Sequence, residues 1–278
     1  MIQRSTCAIV LRVVDYAESD KLVTLYSRDL GRITGIAKGA KKSKRRFVNK
    51  LEEFSLLQLL YQTPRIENGL FFIAEAELLN AYLALRTDYR RYTTAAYLNE
   101  LTVRFTREAD PDSRLFTLLQ WALASLERND NPAKIIALFH LRLLAAVGYR
   151  PELSACGSCR LAITTGSGHH FRLVPGSGAL ICTSCHPWRE LESTRLSPRT
   201  VAFLSNAQSF ALHQLNRLQP SRQAAAEAMV ALHAYTLHLL QQDIQSWPAV
   251  YALYANKSCP TAQALTDTSS LQSCGSPF

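Results

Sequence analysis

No stretch of this chain is apolar for the about 18 residues that a membrane-spanning helix needs. The nearest, residues 133–149, is interrupted by Lys134, His140 and Arg142. The first apolar run, Cys7–Leu11, is too short for a secretory signal and ends at Arg12. The chain is therefore expected in the cytoplasm and off the membrane. Motifs for chemistry are missing too. There is no G-x-x-x-x-G-K-[ST] phosphate loop, no G-x-S-x-G nucleophile elbow and no dinucleotide fingerprint. H-E-x-x-H is absent, as is the deaminase pattern H-x-E with P-C-x-x-C. Carboxylates are scattered, and Glu52, Glu53, Glu75 and Glu77 read as strand-end and surface groups. These absences argue against an ATPase, a nuclease or a zinc hydrolase, and the chain is not expected to be an enzyme.

Acidic residues are missing from one stretch in particular. Lys38–Lys50, KGAKKSKRRFVNK, carries seven basic side chains (Lys38, Lys41, Lys42, Lys44, Arg45, Arg46 and Lys50) and no acid. The formal net charge is +9, and residues 1–50 hold twelve Lys/Arg against four Asp/Glu. A positive field concentrated in one module points to a polyanionic partner, most simply nucleic acid, with an anionic membrane surface or an acidic protein tail as the alternatives. A solvated, flexible connector is the plain alternative. The density of charge, the missing counter-charge and the aromatic Phe47 within the stretch favour binding, because single-strand binders pair phosphate neutralisation with base stacking. Two roles are open for Phe47: stacking on bases, or anchoring the returning strand in the core. Tyr16, Tyr26 and Tyr61 are further stacking candidates at strand positions that equally suit packing.

Around this stretch the pattern is that of short strands. Thr6–Tyr16, Lys21–Ser27, Ile33–Ala37, Glu53–Gln62 and Leu70–Ala76 are apolar or alternating, with a hairpin turn at Asp29–Arg32. Five strands in so short a span suggest a small closed barrel, most simply an OB-fold. From about Leu78 the period changes to that of helices. These are predicted at Thr87–Thr106, at Pro111–Glu127 with Asp110 as cap, and at Pro132–Val147 with Asn131 as cap and Gly148 as stop. Further helices are predicted from Ser197-Pro198 to about Ala207, at Ser209–Arg217 and at Ser221–Asp243, all packing as one bundle. Arg90, Arg91, Arg104 and Arg107 read chiefly as solvated face residues. Residues 255–278 are polar and aperiodic, as expected of a disordered tail.

Cysteine is sparing and odd in number, seven in all, but four form two tight pairs: Cys156/Cys159 and Cys182/Cys185. In a cytosolic chain two C-x-x-C knuckles read as a metal site before a disulfide. Each knuckle lets two sulfurs reach one tetrahedral ion, so the quartet predicts one structural Zn2+ with no open coordination position. The 22 residues between the knuckles fit a folded-back ribbon: Phe171–Val174, a turn at Pro175–Gly178, and Ala179–Ile181. His169, His170 and His186 are candidate replacement ligands, read as surface or neighbouring groups while all four cysteines are present. The fold class is thus α+β. Residues 1–78 form an OB-fold DNA-binding domain, 79–150 and 191–246 the two parts of a helical domain, 151–190 an inserted four-cysteine zinc module, and 247–278 a polar tail.

This order resembles the RecO family of bacterial recombination mediators. The likeness rests on AIVLRVVDYAESDKLVTLYSRDLGRITGIAKGAKKSKRRF near the N-terminus and on LLAAVGYRPELSACGSC at the first knuckle, and it spans roughly residues 5–245. It implies a non-enzymatic DNA repair protein of the RecF pathway that binds single- and double-stranded DNA, anneals complementary strands and associates with the bacterial nucleoid. It further implies action with RecR to load RecA on DNA coated by single-strand-binding protein (SSB), with contact to the acidic SSB C-terminal tail. Carried over by motif, Lys38, Lys41, Lys42, Lys44, Arg45 and Arg46 would contact DNA, with Phe47 and Lys50 in the same loop, and the four cysteines would hold zinc. The alternative reading is a zinc-ribbon RNA-binding or transcription-associated factor.

Overall fold

A computed structural model describes residues 3–64, 69–163, 170–185 and 195–254. The chain divides into two compact units, one of residues 1–150 with 244–247, the other of 151–243 with 248–278.

The first unit is built on a closed five-stranded barrel. β1 (Arg4–Tyr16), β2 (Asp20–Ser27), β3 (Gly31–Ala37), β4 (Leu56–Gln62) and β5 (Phe71–Asn80) join in the order β1-β2-β3-β5-β4, closed by β4 on β1. All pairs are antiparallel except β3 with β5. This is the OB-type barrel the short alternating segments predict. Its interior is apolar: Ala8, Val10, Val23, Leu25, Ile33, Leu57, Leu59 and Ile73 are each 2% exposed or less.

Two strand boundaries differ from expectation by three or more residues, each through pairing with another strand. β4 starts at Leu56 rather than Glu53, because Phe54 takes a left-handed φ of 73° and the segment turns in to β1. Phe54 N–H donates to the Val10 carbonyl (2.9 Å), and Val10 N–H to that of Ser55 (3.0 Å). β5 runs on to Asn80, past the expected Ala76, because Leu78 and Asn80 pair with Leu57 and Leu56 of β4.

Four helices complete this unit: α1 (Leu83–Thr87), α2 (Tyr89–Phe105), α3 (Ser113–Glu127) and α4 (Pro132–Ala146). Asp88 caps α2, accepting from Arg91 N–H (2.9 Å). Asn131 caps α4 with Pro132 in its first turn, as predicted, and Gly148 follows at a φ of 89°. The predicted cap of α3 is Asp110, but the cap in the structure is Asp112, which accepts from Arg114 and Leu115. Residues before it are committed to the barrel edge. Ala109 N–H donates to the Arg32 carbonyl (2.9 Å), and the Asp110 carbonyl lies so close to Gly31 that any Cβ there would overlap it. Gly31 has a φ of 69°, so turn and close approach both require glycine.

The second unit holds a four-stranded sheet of order β6-β8-β7-β9: β6 (Glu152–Cys156), β7 (Phe171–Val174), β8 (Ala179–Cys182) and β9 (Arg195–Leu196). The predicted ribbon is present with its turn at 175–178. With this sheet group α5 (Pro198–Ser209), a 3-10 turn at Leu212–Arg217, and α6 (Arg222–Leu240). Ser197 and Ser221 cap the two helices. Thus α5 and α6 fall in the same compact unit as the ribbon. Residues 247–254, expected within the polar tail, form α7 (Trp247–Tyr254), whose Val250 is buried. The rest of that tail, 255–278, with Cys259 and Cys274, lies outside the described residues.

Candidate nucleic-acid interface and metal site

The basic stretch leaves β3 at Ala37 and returns to β4, and it is a folded element. Gly39, at a φ of 69°, opens a 3-10 turn over Ala40–Lys42. Gly39 N–H donates to Asp20 Oδ1 (2.8 Å), and Lys41 N–H to the Ser19 carbonyl (2.9 Å), tying the turn to the β1–β2 hairpin. The N–H of Gly39, then the Ser19 hydroxyl, hold the Asp20 carboxyl below the usual aspartate value, with smaller help from Lys38 and Lys41. Further along, Ser43 Oγ accepts from Phe47 N–H (3.1 Å), and Lys50 N–H reaches the Phe47 carbonyl (3.1 Å). Ala40, Phe47 and Leu51 all join the barrel core. The loop therefore closes one end of the barrel with its apolar residues and turns its cations outward.

The eight predicted residues divide by what they touch. Phe47 is 3% exposed and packed in the core, so of its two open roles the structure supports the anchor, and its place among nucleic-acid contacts is corrected. Lys41 is exposed, yet its ammonium contacts Asp15 (3.2 Å) and the Ala17 carbonyl (3.2 Å). Arg46 donates to the Ala74 (3.4 Å) and Lys38 (3.3 Å) carbonyls, with its guanidinium 5.2 Å from the Phe47 ring centroid. Half-buried Lys50 donates to the Arg45 carbonyl (3.0 Å). Lys38, Lys42, Lys44 and Arg45 are exposed and form no ion pair among the described residues. These four are the unneutralised cations of the loop, held by a frame that Lys41, Arg46 and Phe47 help to set.

Of the tyrosines, Tyr26 and Tyr61 are core residues, while Tyr16 is 49% exposed beside the loop. The helix arginines serve the fold in part: Arg91 donates to Glu127 O and Asn129 Oδ1, and Arg104 pairs with Glu100. Phe72 was missed as an outward aromatic. The signal was the doublet Phe71-Phe72, since neighbouring strand residues face opposite sides.

In the second unit the knuckles bring all four sulfurs within 4.8 Å of one another. A tetrahedron of sulfurs about 2.3 Å from an ion has edges of about 3.8 Å, and Cys159 and Cys182 stand 3.7 Å apart. Burial pushes the Cys156 thiol up, but the N–H groups of Cys159, Cys182 and Ser158 around its sulfur outweigh this and bring it down to about 6. The Cys185 thiol, in hydrogen bonds with Cys159 and Cys182, is pushed up to about 12. Four thiols gathered this closely are a donor set that a divalent cation would complete by displacing protons. The four residues thus fit a metal ion with every position filled by sulfur. His170 lies outside this cluster, and His169 and His186 lie outside the described residues.

Among the described residues no helix is long and apolar enough to cross a membrane. Comparison with known proteins gives a consistent result. A family model described as "Recombination protein O N terminal" matches residues 1–82, and one described as "Recombination protein O C terminal" matches 86–248. A "DNA repair protein RecO" of Syntrophobacter fumaroxidans is 34% identical over 214 residues, covering 77% of this chain and 83% of that protein. Its counterpart from Syntrophus aciditrophicus is 30% identical over 242 residues, covering 87% and 92%. That from Anaeromyxobacter sp. strain Fw109-5 is 32% identical over 232 residues, covering 84% and 89%.

Proposed function

The chain belongs to the RecO family of DNA repair proteins, and from that premise we propose that it is a non-enzymatic recombination mediator of the RecF pathway. It binds single- and double-stranded DNA in the cytoplasm at the nucleoid and anneals complementary strands. With RecR it helps RecA onto DNA coated by SSB, whose acidic C-terminal tail it contacts. The observation that carries this reading is the basic loop: a hydrogen-bonded element whose Lys38, Lys42, Lys44 and Arg45 are exposed with no ion-pair partner among the described residues. Annealing requires two mutually repelling strands to approach. A fixed cluster of cations neutralises phosphates on both and releases their condensed counterions. Such contacts position a backbone without reading its sequence, which suits a protein that acts on any repair site.

The cysteine quartet supports a separate role. Cys156, Cys159, Cys182 and Cys185 would hold one Zn2+, closed to water and substrate, whose binding energy folds the ribbon. The test of the function is annealing of complementary strands coated with SSB, using SSB with and without its acidic tail. Stimulation that depends on the tail is expected. Equal stimulation with tailless SSB, or none with either, would refute the mediator reading.

A further inference from the structure

The four sulfurs of the metal site are unequally sheltered. Cys156 closes β6 and Cys182 closes β8, and both are buried. The sheet holds them in place. Cys156 is in register with Leu180, Gly157 N–H donates to the Leu180 carbonyl (2.7 Å), and Cys182 is in register with Phe171. Cys182 N–H also donates to Cys156 Sγ (3.3 Å). Each knuckle then turns outward, and its second cysteine, Cys159 or Cys185, is exposed. Gly157, Ser158 and Arg160, around Cys159, are exposed as well. The first knuckle thus presents to solvent a sulfur carried on a turn, and the nearest sulfur behind it is fixed on a strand.

Cys159 Sγ lies 3.7 Å from Cys182 Sγ, across the two knuckles. A disulfide needs about 2.05 Å, so the exposed turn has only about 1.6 Å to close. Cys156 is the poorer partner, because three backbone N–H groups already draw on its sulfur. Thiolate sulfur is what oxidants attack, and attack is favoured where the sulfur is exposed. Hydrogen peroxide is small and uncharged enough to reach the turn. The Cys159 thiolate gives an electron pair to one peroxide oxygen. An S–O bond forms, the O–O bond breaks and hydroxide leaves, so Cys159 becomes a sulfenic acid. The Cys182 thiolate then attacks that sulfur: an S–S bond forms, the S–O bond breaks and a second hydroxide leaves. Two sulfurs have lost two electrons, the peroxide has gained them, and two protons from solvent turn both hydroxides into water. Cys156 and Cys185 remain, half the donors that a closed tetrahedral site requires.

We infer that Cys159 is a site of reversible oxidation by peroxide, resolved by Cys182, and that the resulting disulfide empties the metal site and loosens the ribbon. This rests on the metal reading above and goes beyond it, since a purely structural site would keep its ion. Thiol reductants reverse the step by exchange at the exposed sulfur. The test treats the full-length protein, loaded with zinc, with hydrogen peroxide. A chromogenic chelator follows zinc, and alkylation with mass spectrometry maps each cysteine. Zinc release and a Cys159–Cys182 cross-link should rise together. Cys7, half-buried and with its thiol pushed up chiefly by burial, is the internal control and should stay reduced. Trypsin should gain access to Arg172, inside β7, only after oxidation, and dithiothreitol with added zinc should restore the starting state. Cys159→His keeps a fourth donor but removes the attacking sulfur, so it should hold zinc at peroxide doses that empty the wild type. Replacing the tail thiols, Cys259→Ser with Cys274→Ser, should change nothing. Zinc retained by the wild type with Cys159 still free would overturn the inference. So would zinc lost with Cys159 joined to a tail cysteine, or lost equally fast from Cys159→His. Failure of the untreated protein to bind zinc at all would instead overturn the metal reading, and this inference with it.

Discussion

Replacing Lys38, Lys42, Lys44 and Arg45 together with Ala tests the loop with little structural disturbance. All four side chains are exposed, none forms an ion pair among the described residues, and none of them packs in the barrel core. Each phosphate neutralised on a single strand contributes ~0.7 to the slope of log K against log salt. Four lost contacts lower that slope by about 2.8. Between 50 and 200 mM salt, a factor of four, the wild type then loses about 50-fold more affinity than the variant. Thermal stability should be unchanged or slightly raised, since like charges are being removed from a small area. The assay is fluorescence anisotropy with labelled oligo(dT) across that salt range, with a melting curve on each protein. An unchanged slope in a variant that melts like the wild type would refute the assignment. A collapsed melting temperature would refute the claim that these cations are peripheral to the frame.

Other outcomes follow from the same geometry. Phe47→Ala removes a ring from the closed end of the barrel and should cost about 3–5 kcal/mol by denaturant titration, with DNA binding lost through misplacement of the loop. Asp20 has a folded value below its unfolded one, chiefly through Gly39 N–H, so its stabilising effect is present above the unfolded value and fades as pH falls through the folded one. The stability gap between wild type and Asp20→Asn should therefore be widest above about pH 5 and close in stronger acid. Cys156→Ser should abolish stoichiometric zinc binding, measured with a chromogenic chelator. In the wild type, zinc uptake should release protons and weaken as pH falls, because the thiols must deprotonate to bind.

Much of this was legible in the sequence where local chemistry decides the outcome. The ribbon turn at 175–178, the cap at Asn131, the helix start at Ser197-Pro198 and all five barrel strands follow from residues within a few positions of each other. The failures lie where distant residues intervene. Asp110 looked like a cap, but its segment is held against Gly31 and Arg32, some eighty residues earlier in the chain, so the cap passed to Asp112. The role of Phe47 could not be read from its neighbours, since a buried aromatic in a basic run resembles a stacking one until the barrel end it fills is seen. Division of labour within the loop was equally hidden. Lys41 and Lys42 are adjacent and chemically identical, yet one is drawn to Asp15 by the hairpin and the other is left to solvent. The apolar row of Val14, Leu22, Ile36 and Phe72 on the barrel face needs three strand registers at once.

Lysine is scarce enough in this chain to make one measurement decisive. Five of its eight lysines lie in the loop, and Lys134 is 2% exposed, an internal control that should stay unreactive throughout. Acetylation of the full-length protein, with and without saturating oligo(dT), can be read residue by residue by mass spectrometry. The account predicts strong protection of Lys38, Lys42 and Lys44 by DNA. Equal modification of these three in the free and bound protein would contradict it.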